Sequence, residues 1–164
     1  MSPEEFNAIF RALLPDVSRF LARRVDKSDV EDLAADLFEL AWSKRSQIET
    51  GLELAWLYKS ARYLIANHHR KQSGRNRIFS TLKEPTAAPS AESIALADIE
   101  LAEVWRELSP KDTEILALWS FEGLEVSEIS KVLEISLNAA NIRLSRARAS
   151  LTSKLDERNS QVGT

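Results

Sequence analysis

Residues 108–148 read LSPKDTEILALWSFEGLEVSEISKVLEISLNAANIRLSRAR. Their apolar residues recur at three- and four-residue spacing in three runs, which predicts three consecutive helices. The first begins at Ser109-Pro110, because proline suits the first helical position and disfavours helical backbone in the residue before it. Trp119 falls in the apolar stripe of that helix, and Gly123 predicts its end. Ser136 is placed to cap the third helix. The last two predicted helices have the outline of a helix-turn-helix.

The third predicted helix carries an unusual charge. Residues 138–154 contain four basic residues and no acid, whereas residues 91–128 contain ten acids and two bases. A polar, basic helix behind a short helix and a turn is what reading of the DNA major groove requires. The alternative interpretation is a basic helix that is merely solvated.

Composition limits the classes of protein that remain. The chain has 164 residues, of which 44% are hydrophobic and 29% charged, and it has no cysteine. This composition is typical of a globular protein and excludes disulfides and thiolate metal sites. Two adjacent histidines cannot both ligate one metal from the same face of a helix. We therefore predict no catalytic site, no metal site and no cofactor. No apolar run approaches the ~20 residues that span a bilayer, so we expect a cytoplasmic protein without membrane insertion.

The rest of the chain predicts further helices. A helix over residues 3–25 should kink or break at Pro15. A second begins at Ser28, which with Glu31 fits a capping box. A third starts near Leu52 and becomes basic towards Lys71, and a fourth covers residues 93–108. The fold class is all-α, with an N-terminal helical domain (1–72), a flexible linker (73–93), a C-terminal helix-turn-helix domain (94–156) and a disordered tail (157–164).

Charge is unevenly distributed although the net charge is only −3. Residues 59–77 contain six basic residues and no acid, and residues 26–39 contain six acids and one lysine. Such segregation predicts separate surfaces for an anionic partner and for a protein partner.

Three segments, in this order, resemble the extracytoplasmic-function sigma factors, the small two-domain specificity subunits of bacterial RNA polymerase. The segment SDVEDLAADLFELAW (28–42) is similar to that family's core-binding helix. AWLYKSARYLIANHHRK (55–71) is similar to its helix for the minus-ten promoter element, and residues 108–151 are similar to its minus-thirty-five domain. Glu134 departs from the family pattern, because it stands where the turn usually has glycine.

The resemblance implies roles for particular residues. Core polymerase would be bound by Asp29, Asp32, Phe38 and Trp42. The minus-ten element would be contacted by Lys59, Arg62, Tyr63, Asn67, His68, Arg70 and Lys71. In the minus-thirty-five domain, base edges would be read by Asn138, Asn141 and Arg143, and phosphates held by Arg146 and Arg148. For Phe38 and Trp42 an ordinary place in the core is the competing interpretation. Trp56 and Tyr58 precede the basic part of their helix and either stack on single-stranded DNA or lie in the core, and for Trp56 we favour the core.

The sequence therefore predicts an RNA polymerase sigma factor without enzymatic activity. Its implied partners are core polymerase, promoter DNA in duplex and single-stranded form, and an anti-sigma factor, and the free protein is expected to be a monomer. Three alternatives remain at this point: a stand-alone helix-turn-helix regulator, an enzyme, and a helical adaptor protein. The acidic stretch 29–39 argues against the regulator, and the two basic tracts argue against the adaptor.

Overall fold

The structure is a computed structural model that describes residues 1–73 and 87–162. The chain divides into two compact units, Met1–Ala87 and Ala88–Thr164. Every regular element of the described residues is helical, which confirms the all-α prediction. The boundary between the units falls inside the predicted linker, of which residues 74–86 lie outside the described residues.

The first unit is built on three helices, which are α1 (Pro3–Ala22), α2 (Val30–Ser43) and α3 (Glu53–Gln72). Short 3-10 turns, Lys27–Asp29 and Arg45–Gln47, follow α1 and α2. Each of the three helices contacts the other two. Their shared core includes Val17, Phe20, Leu21, Leu37, Leu57, Tyr58, Ala61 and Ile65. Burial of these side chains is the main source of stability for helices of this length.

The sequence predicts a kink or a break at Pro15, and the structure shows that the first helix does not break there. The helix α1 continues from Pro3 to Ala22 with Pro15 inside it. Pro15 and Arg11 are both exposed. The carbonyl of Arg11, which loses its donor to proline, therefore faces water, and the helix tolerates the missing hydrogen bond.

The predicted capping box at Ser28 is wrong. Asp26 has extended backbone, and the 3-10 turn Lys27–Asp29 then leads directly into α2. Asp29, the residue before α2, already has helical backbone and makes no capping hydrogen bond through its side chain. A capping side chain requires extended backbone at its own position, which the 3-10 turn removes.

The second unit contains five helices in the part that the structure describes. They are α4 (Ala91–Ala95), α5 (Ile99–Glu107), α6 (Pro110–Ser120), α7 (Val126–Leu133) and α8 (Leu137–Val162). The helix α8 packs against α6 and α7. The core of this unit includes Val104, Ile115, Leu116, Leu118, Ile129, Val132, Ala140, Leu144 and Ala147.

Two predicted boundaries of the second unit are wrong. The single helix expected over 93–108 is interrupted by Asp98, whose backbone is extended and whose carboxylate accepts a hydrogen bond from Leu101 N at 3.0 Å. The predicted disordered tail, 157–164, is helical through Val162. Arg158 on α8 forms an ion pair with Glu103 on α5, which holds this end of the helix against the unit.

Candidate nucleic-acid and polymerase interfaces

The helix-turn-helix region forms with the caps that the sequence predicts. Ser109 Oγ accepts a hydrogen bond from Asp112 N at 3.2 Å, and Pro110 is the first residue of α6. Gly123 has a φ of +67°, as expected for the residue that ends this segment. Ser136 Oγ accepts a hydrogen bond from Ala139 N at 3.0 Å and so caps α8. These three predictions are confirmed.

The turn between α7 and α8 has the geometry that glycine normally supplies. Glu134 follows the last residue of α7 with φ 56° and ψ 44°, in the left-handed region. Its backbone N–H donates to Ser130 O, which closes the end of α7. A side chain with a Cβ costs about 1–2 kcal/mol in this conformation relative to glycine. The turn therefore keeps its shape despite the substitution, at some cost in stability.

The predicted DNA-reading residues lie mostly on the solvent side of α8. A narrow stripe of Ala140, Leu144 and Ala147 is buried against the unit. The exposed candidates are Asn138, Asn141, Arg146 and Arg148, and only Arg143 is half-buried. Because the acid-free stretch extends to Lys154, this exposed face carries net positive charge over its first four turns.

Arg148 contacts the ring of Trp119, which the sequence places in the apolar stripe of α6. The guanidinium carbon of Arg148 lies 4.5 Å from the ring centroid of Trp119, near the end of α6. Trp119 is 37% exposed, whereas its neighbour Leu118 is 1% exposed. Trp119 and Arg148 line one groove along α8, together with Asn141 and Ser145. The apolar stripe placed Trp119 at the edge of the core, and no local pattern predicts its arginine partner.

The predicted minus-ten residues on α3 are less uniformly exposed. Tyr63, Asn67 and Lys71 are exposed, and Lys59 is half-buried. Arg62 is only 6% exposed, so in this structure its guanidinium does not lie on a surface that could hold a phosphate. Arg70 is half-buried, and its Nε is buried without a hydrogen-bond partner in the described residues. Arg62 therefore lies in the interior of the first unit in this structure, and its contact with the minus-ten element stays a prediction.

A pair of predicted site residues contact each other. His68 Nε2 on α3 lies 3.2 Å from Asp29 Oδ2, just before α2. Since an ionised carboxylate can only accept, the imidazole donates this hydrogen bond. The sequence analysis assigned His68 to DNA and Asp29 to polymerase. In the structure each of the two side chains has the other as a partner, and the contact joins the start of α2 to the basic half of α3.

The aromatic residues of α2 belong to a cluster shared with α1. Phe38 and Trp42 are half-buried. Phe38 stands edge-on to Phe10 at a centroid distance of 6.0 Å, and Trp42 edge-on to Phe6 at 5.0 Å. Arg45 stacks on the other ring surface of the tryptophan, with its guanidinium carbon 3.8 Å from the centroid. Each ring therefore packs internally and retains an exposed part, so the core interpretation holds in part and the docking interpretation stays a prediction.

The core interpretation has different outcomes for Tyr58 and Trp56. Tyr58 is 2% exposed and stacks on Phe20 at 4.5 Å, which confirms its place in the core. Trp56 is only half-buried.

Among the described residues no group of three His, Cys, Asp or Glu could hold a metal ion. No helix in the described ranges is long and apolar enough to cross a membrane.

An all-helical chain of two units, with a capped helix-turn-helix and an exposed basic helix, defines a class of DNA-binding protein. Comparison with known proteins narrows the class. The model of the family described as Sigma-70 region 2 matches residues 9–75. The model described as Sigma-70, region 4 matches residues 99–151.

Characterised relatives carry the same description. The RNA polymerase sigma factor NccH of Alcaligenes xylosoxydans xylosoxydans is 31% identical over 147 residues, which is 84% of this chain and 78% of NccH. CnrH of Cupriavidus metallidurans is 28% identical over 145 residues, covering 80% of this chain and 76% of CnrH. The probable sigma factor RfaY of Xanthomonas campestris pv. campestris is 29% identical over 147 residues, and the chain spans only 37% of that protein.

Two solved structures share the fold. The sigma factor RpoE of Bartonella quintana, in complex with the anti-sigma factor NepR, has a TM-score of 0.66 at 24% identity, covering 93% of this chain and 98% of RpoE. CnrH in complex with the cytosolic domain of CnrY has a TM-score of 0.58 at 22% identity, covering 94% and 87% of the two chains.

The chain belongs to the RNA polymerase sigma factors, as a member of their extracytoplasmic-function class. It is an alternative sigma factor that binds core polymerase and directs promoter-specific initiation of transcription. The interpretation as a stand-alone regulator is not favoured.

Proposed function

We propose that the two units divide promoter recognition between them. The first unit docks on core polymerase through α2 and contacts the minus-ten element through α3, and the second unit reads the minus-thirty-five element through α8. The order of the two matched regions supports this division, since residues 9–75 fall in the first unit and residues 99–151 in the second.

The observation that carries the proposal is the exposed face of α8. Asn138 and Asn141 are exposed on the first turns of the second helix of a helix-turn-helix, the part that enters the major groove. Asparagine can form two hydrogen bonds to adenine, and arginine two to guanine. Asn138, Asn141 and Arg143 would therefore read bases, while Arg146 and Arg148 hold phosphates further along the helix.

For the minus-ten element the exposed residues of α3 form a smaller set than the sequence predicts. Tyr63 is 49% exposed and offers a ring on which an unpaired base can stack. Asn67 is exposed one turn further along α3, and Lys71 another turn beyond it. We assign base contacts to Tyr63 and Asn67 and phosphate contacts to Lys59 and Lys71. His68 acts through its contact with Asp29.

For polymerase docking we assign the exposed edge of the aromatic cluster and the acids beside it. Phe38 and Trp42 supply apolar area at the centre, which is where interface residues contribute most. Asp32 is exposed on the same helix and is a polar contact that fixes orientation. Asp29 supports the start of α2 through His68 and is a weaker candidate for direct contact.

The protein also has an expected regulatory partner. Both solved relatives are complexes: RpoE is bound to the anti-sigma factor NepR, and CnrH to the cytosolic domain of CnrY. We propose that this chain is likewise held by an anti-sigma protein and is a monomer when released. Since it lends specificity to polymerase, we assign it no reaction of its own and place its action in the bacterial cytoplasm.

Transcription in vitro with purified bacterial core polymerase tests the proposal. Discrete transcripts that require the chain are expected, and alignment of their upstream sequences gives both promoter elements. On such a promoter Asn141→Ala should abolish most of the product and change base preference in the upstream element. Asn159→Ala is the matched control, because it removes an exposed asparagine from the same helix beyond the basic stretch. Duplex binding without any new transcript would contradict the proposal.

A further inference from the structure

A tryptophan near the end of α6 is exposed next to a fully buried run. Ile115, Leu116, Ala117 and Leu118 are at most 1% exposed, but Trp119, the next residue, is 37% exposed. Because burying a large aromatic ring normally stabilises a protein, the exposure of Trp119 indicates that its ring has a role at the surface. The ring face is covered by one cation, the Arg148 guanidinium at 4.5 Å.

This contact reduces the freedom of an otherwise exposed arginine. A free arginine side chain samples many rotamers and loses that freedom when it binds a phosphate. Stacking on an indole ring is the most favourable cation–π arrangement and leaves the guanidinium N–H groups at its edge free to donate. The Arg148 guanidinium is therefore held against the Trp119 ring before any ligand arrives.

The position of the pair connects it to the proposed reading face. Asn141, Ser145 and Arg148 line the same groove along α8, with Trp119 opposite. Asp156 and Glu157 line the far end of this groove, about 12 Å beyond Arg148 along the helix. Those carboxylates repel an anion, so a phosphate at Arg148 is favoured on the side of Asn141.

We propose that Trp119 is a positioning residue for promoter DNA: its ring holds the Arg148 guanidinium where it receives a backbone phosphate next to the bases read by Asn141. The inference rests on the proposed role of α8 and adds to it a residue outside that helix. Trp119 acts through Arg148 and makes no direct contact with a base.

A double-mutant cycle tests this. The full chain, assembled with core polymerase, is titrated with a fluorescent duplex carrying a promoter identified by the transcription assay, at several salt concentrations. Trp119→Leu should weaken binding about two- to fivefold, the effect expected for loss of an exposed cation–π contact. Arg148→Ala should weaken binding more, and the double variant no further than Arg148→Ala alone. Trp119→Phe keeps an aromatic face and should retain most of the affinity.

The outcomes separate this inference from the proposed function. If Trp119→Leu weakens binding equally with and without Arg148, the two residues act independently and the inference fails. The same conclusion follows if Arg148→Ala has no effect while Arg146→Ala weakens binding, because the stacked pair is then purely structural. If neither arginine variant changes binding, α8 is not the DNA-reading helix and the proposed function fails. If Trp119→Leu does not fold, Trp119→Gln provides the same test, because it also removes the aromatic face and suits a position that is 37% exposed.

Discussion

The two basic helices, α3 and α8, look equivalent in sequence and differ in the structure. On α8 the phosphate candidates Arg146 and Arg148 are exposed. On α3, Arg62 is 6% exposed, Arg70 is half-buried, and His68 contacts Asp29. Of the arginines on α3, Arg62 is therefore inside the first unit and Arg70 is partly covered, so neither is displayed to an anion as Arg146 and Arg148 are on α8.

The difference follows from how much of each helix is covered. Seven residues of α3 are buried, among them the polar Ser60 and Arg62, because α1 and α2 both pack against this helix. On the basic half of α8 the buried stripe is Ala140, Leu144 and Ala147, which is narrow and apolar. A helix with a narrow buried stripe leaves its cations exposed. The number of cations in the sequence alone does not show whether a helix is covered widely, as α3 is, or narrowly, as α8 is.

The largest expected effect is the loss of stability on replacing Arg62. Arg62→Ala removes a side chain that is only 6% exposed, together with its packing contacts, and should lower the free energy of unfolding by about 2–4 kcal/mol. Lys71→Ala, an exposed change on the same helix, should shift it by less than about 0.5 kcal/mol. Urea unfolding followed by circular dichroism measures both. An Arg62→Ala protein of unchanged stability with weakened DNA binding would return this arginine to the DNA surface.

On α8 the same type of substitution should leave stability unchanged and affect binding. Arg146 is exposed, so Arg146→Ala should weaken promoter binding at every sequence, by about tenfold if one charge-assisted hydrogen bond is lost. The slope of log K against log salt should become shallower by about 1. Anisotropy titrations of the holoenzyme across salt concentrations measure this. An unchanged slope would remove Arg146 from the phosphate set and weaken the contrast with α3.

Features set by short segments of sequence could be predicted. Ser109 and Ser136 place the starts of α6 and α8, and Gly123 takes left-handed backbone in the turn after α6, because a cap or a turn depends on the chemistry of one residue and its neighbours. The order of three family-like segments gave the family. Predicted helix boundaries were wrong where a second local structure was possible in the same segment. At Ser28 the 3-10 turn Lys27–Asp29 forms in place of the predicted capping box.

Contacts between distant segments could not be predicted. Asp29 and His68 are 39 residues apart, and Arg148 meets Trp119 from a different helix. Arg24, which follows the end of α1, is charged and yet buried. Its Nε donates a hydrogen bond to Ala87 O at 2.7 Å, and these two residues are 63 positions apart in the sequence. Periodicity states which side of a helix is apolar, but the partner of a polar side chain depends on how the helices pack.

The turn before α8 provides a smaller, stabilising change. Glu134→Gly should raise the free energy of unfolding by about 1 kcal/mol, because the left-handed backbone at this position suits glycine. Glu134→Ala is the matched control: it removes the same carboxylate but keeps a Cβ, so it should not stabilise. Thermal unfolding compares the two variants. Equal stabilisation by alanine would mean that the carboxylate, and not the backbone, is the source of the strain.

The smallest effect is expected from the contact that joins α2 to α3. Asp29→Asn and His68→Gln should each destabilise the protein slightly, with a coupling energy of about 0.5–1 kcal/mol in a double-mutant cycle. Asp32→Asn, on an exposed residue of the same helix, should show no coupling to His68. If Asp29 acts through His68, Asp29→Asn and His68→Gln should alter promoter opening to the same extent. The double variant should then show no further change. Asp32→Asn should alter only the affinity for core polymerase. An Asp29→Asn variant that loses polymerase affinity independently of His68 would place Asp29 at the polymerase surface, and the His68 side chain would then be available for contact with DNA.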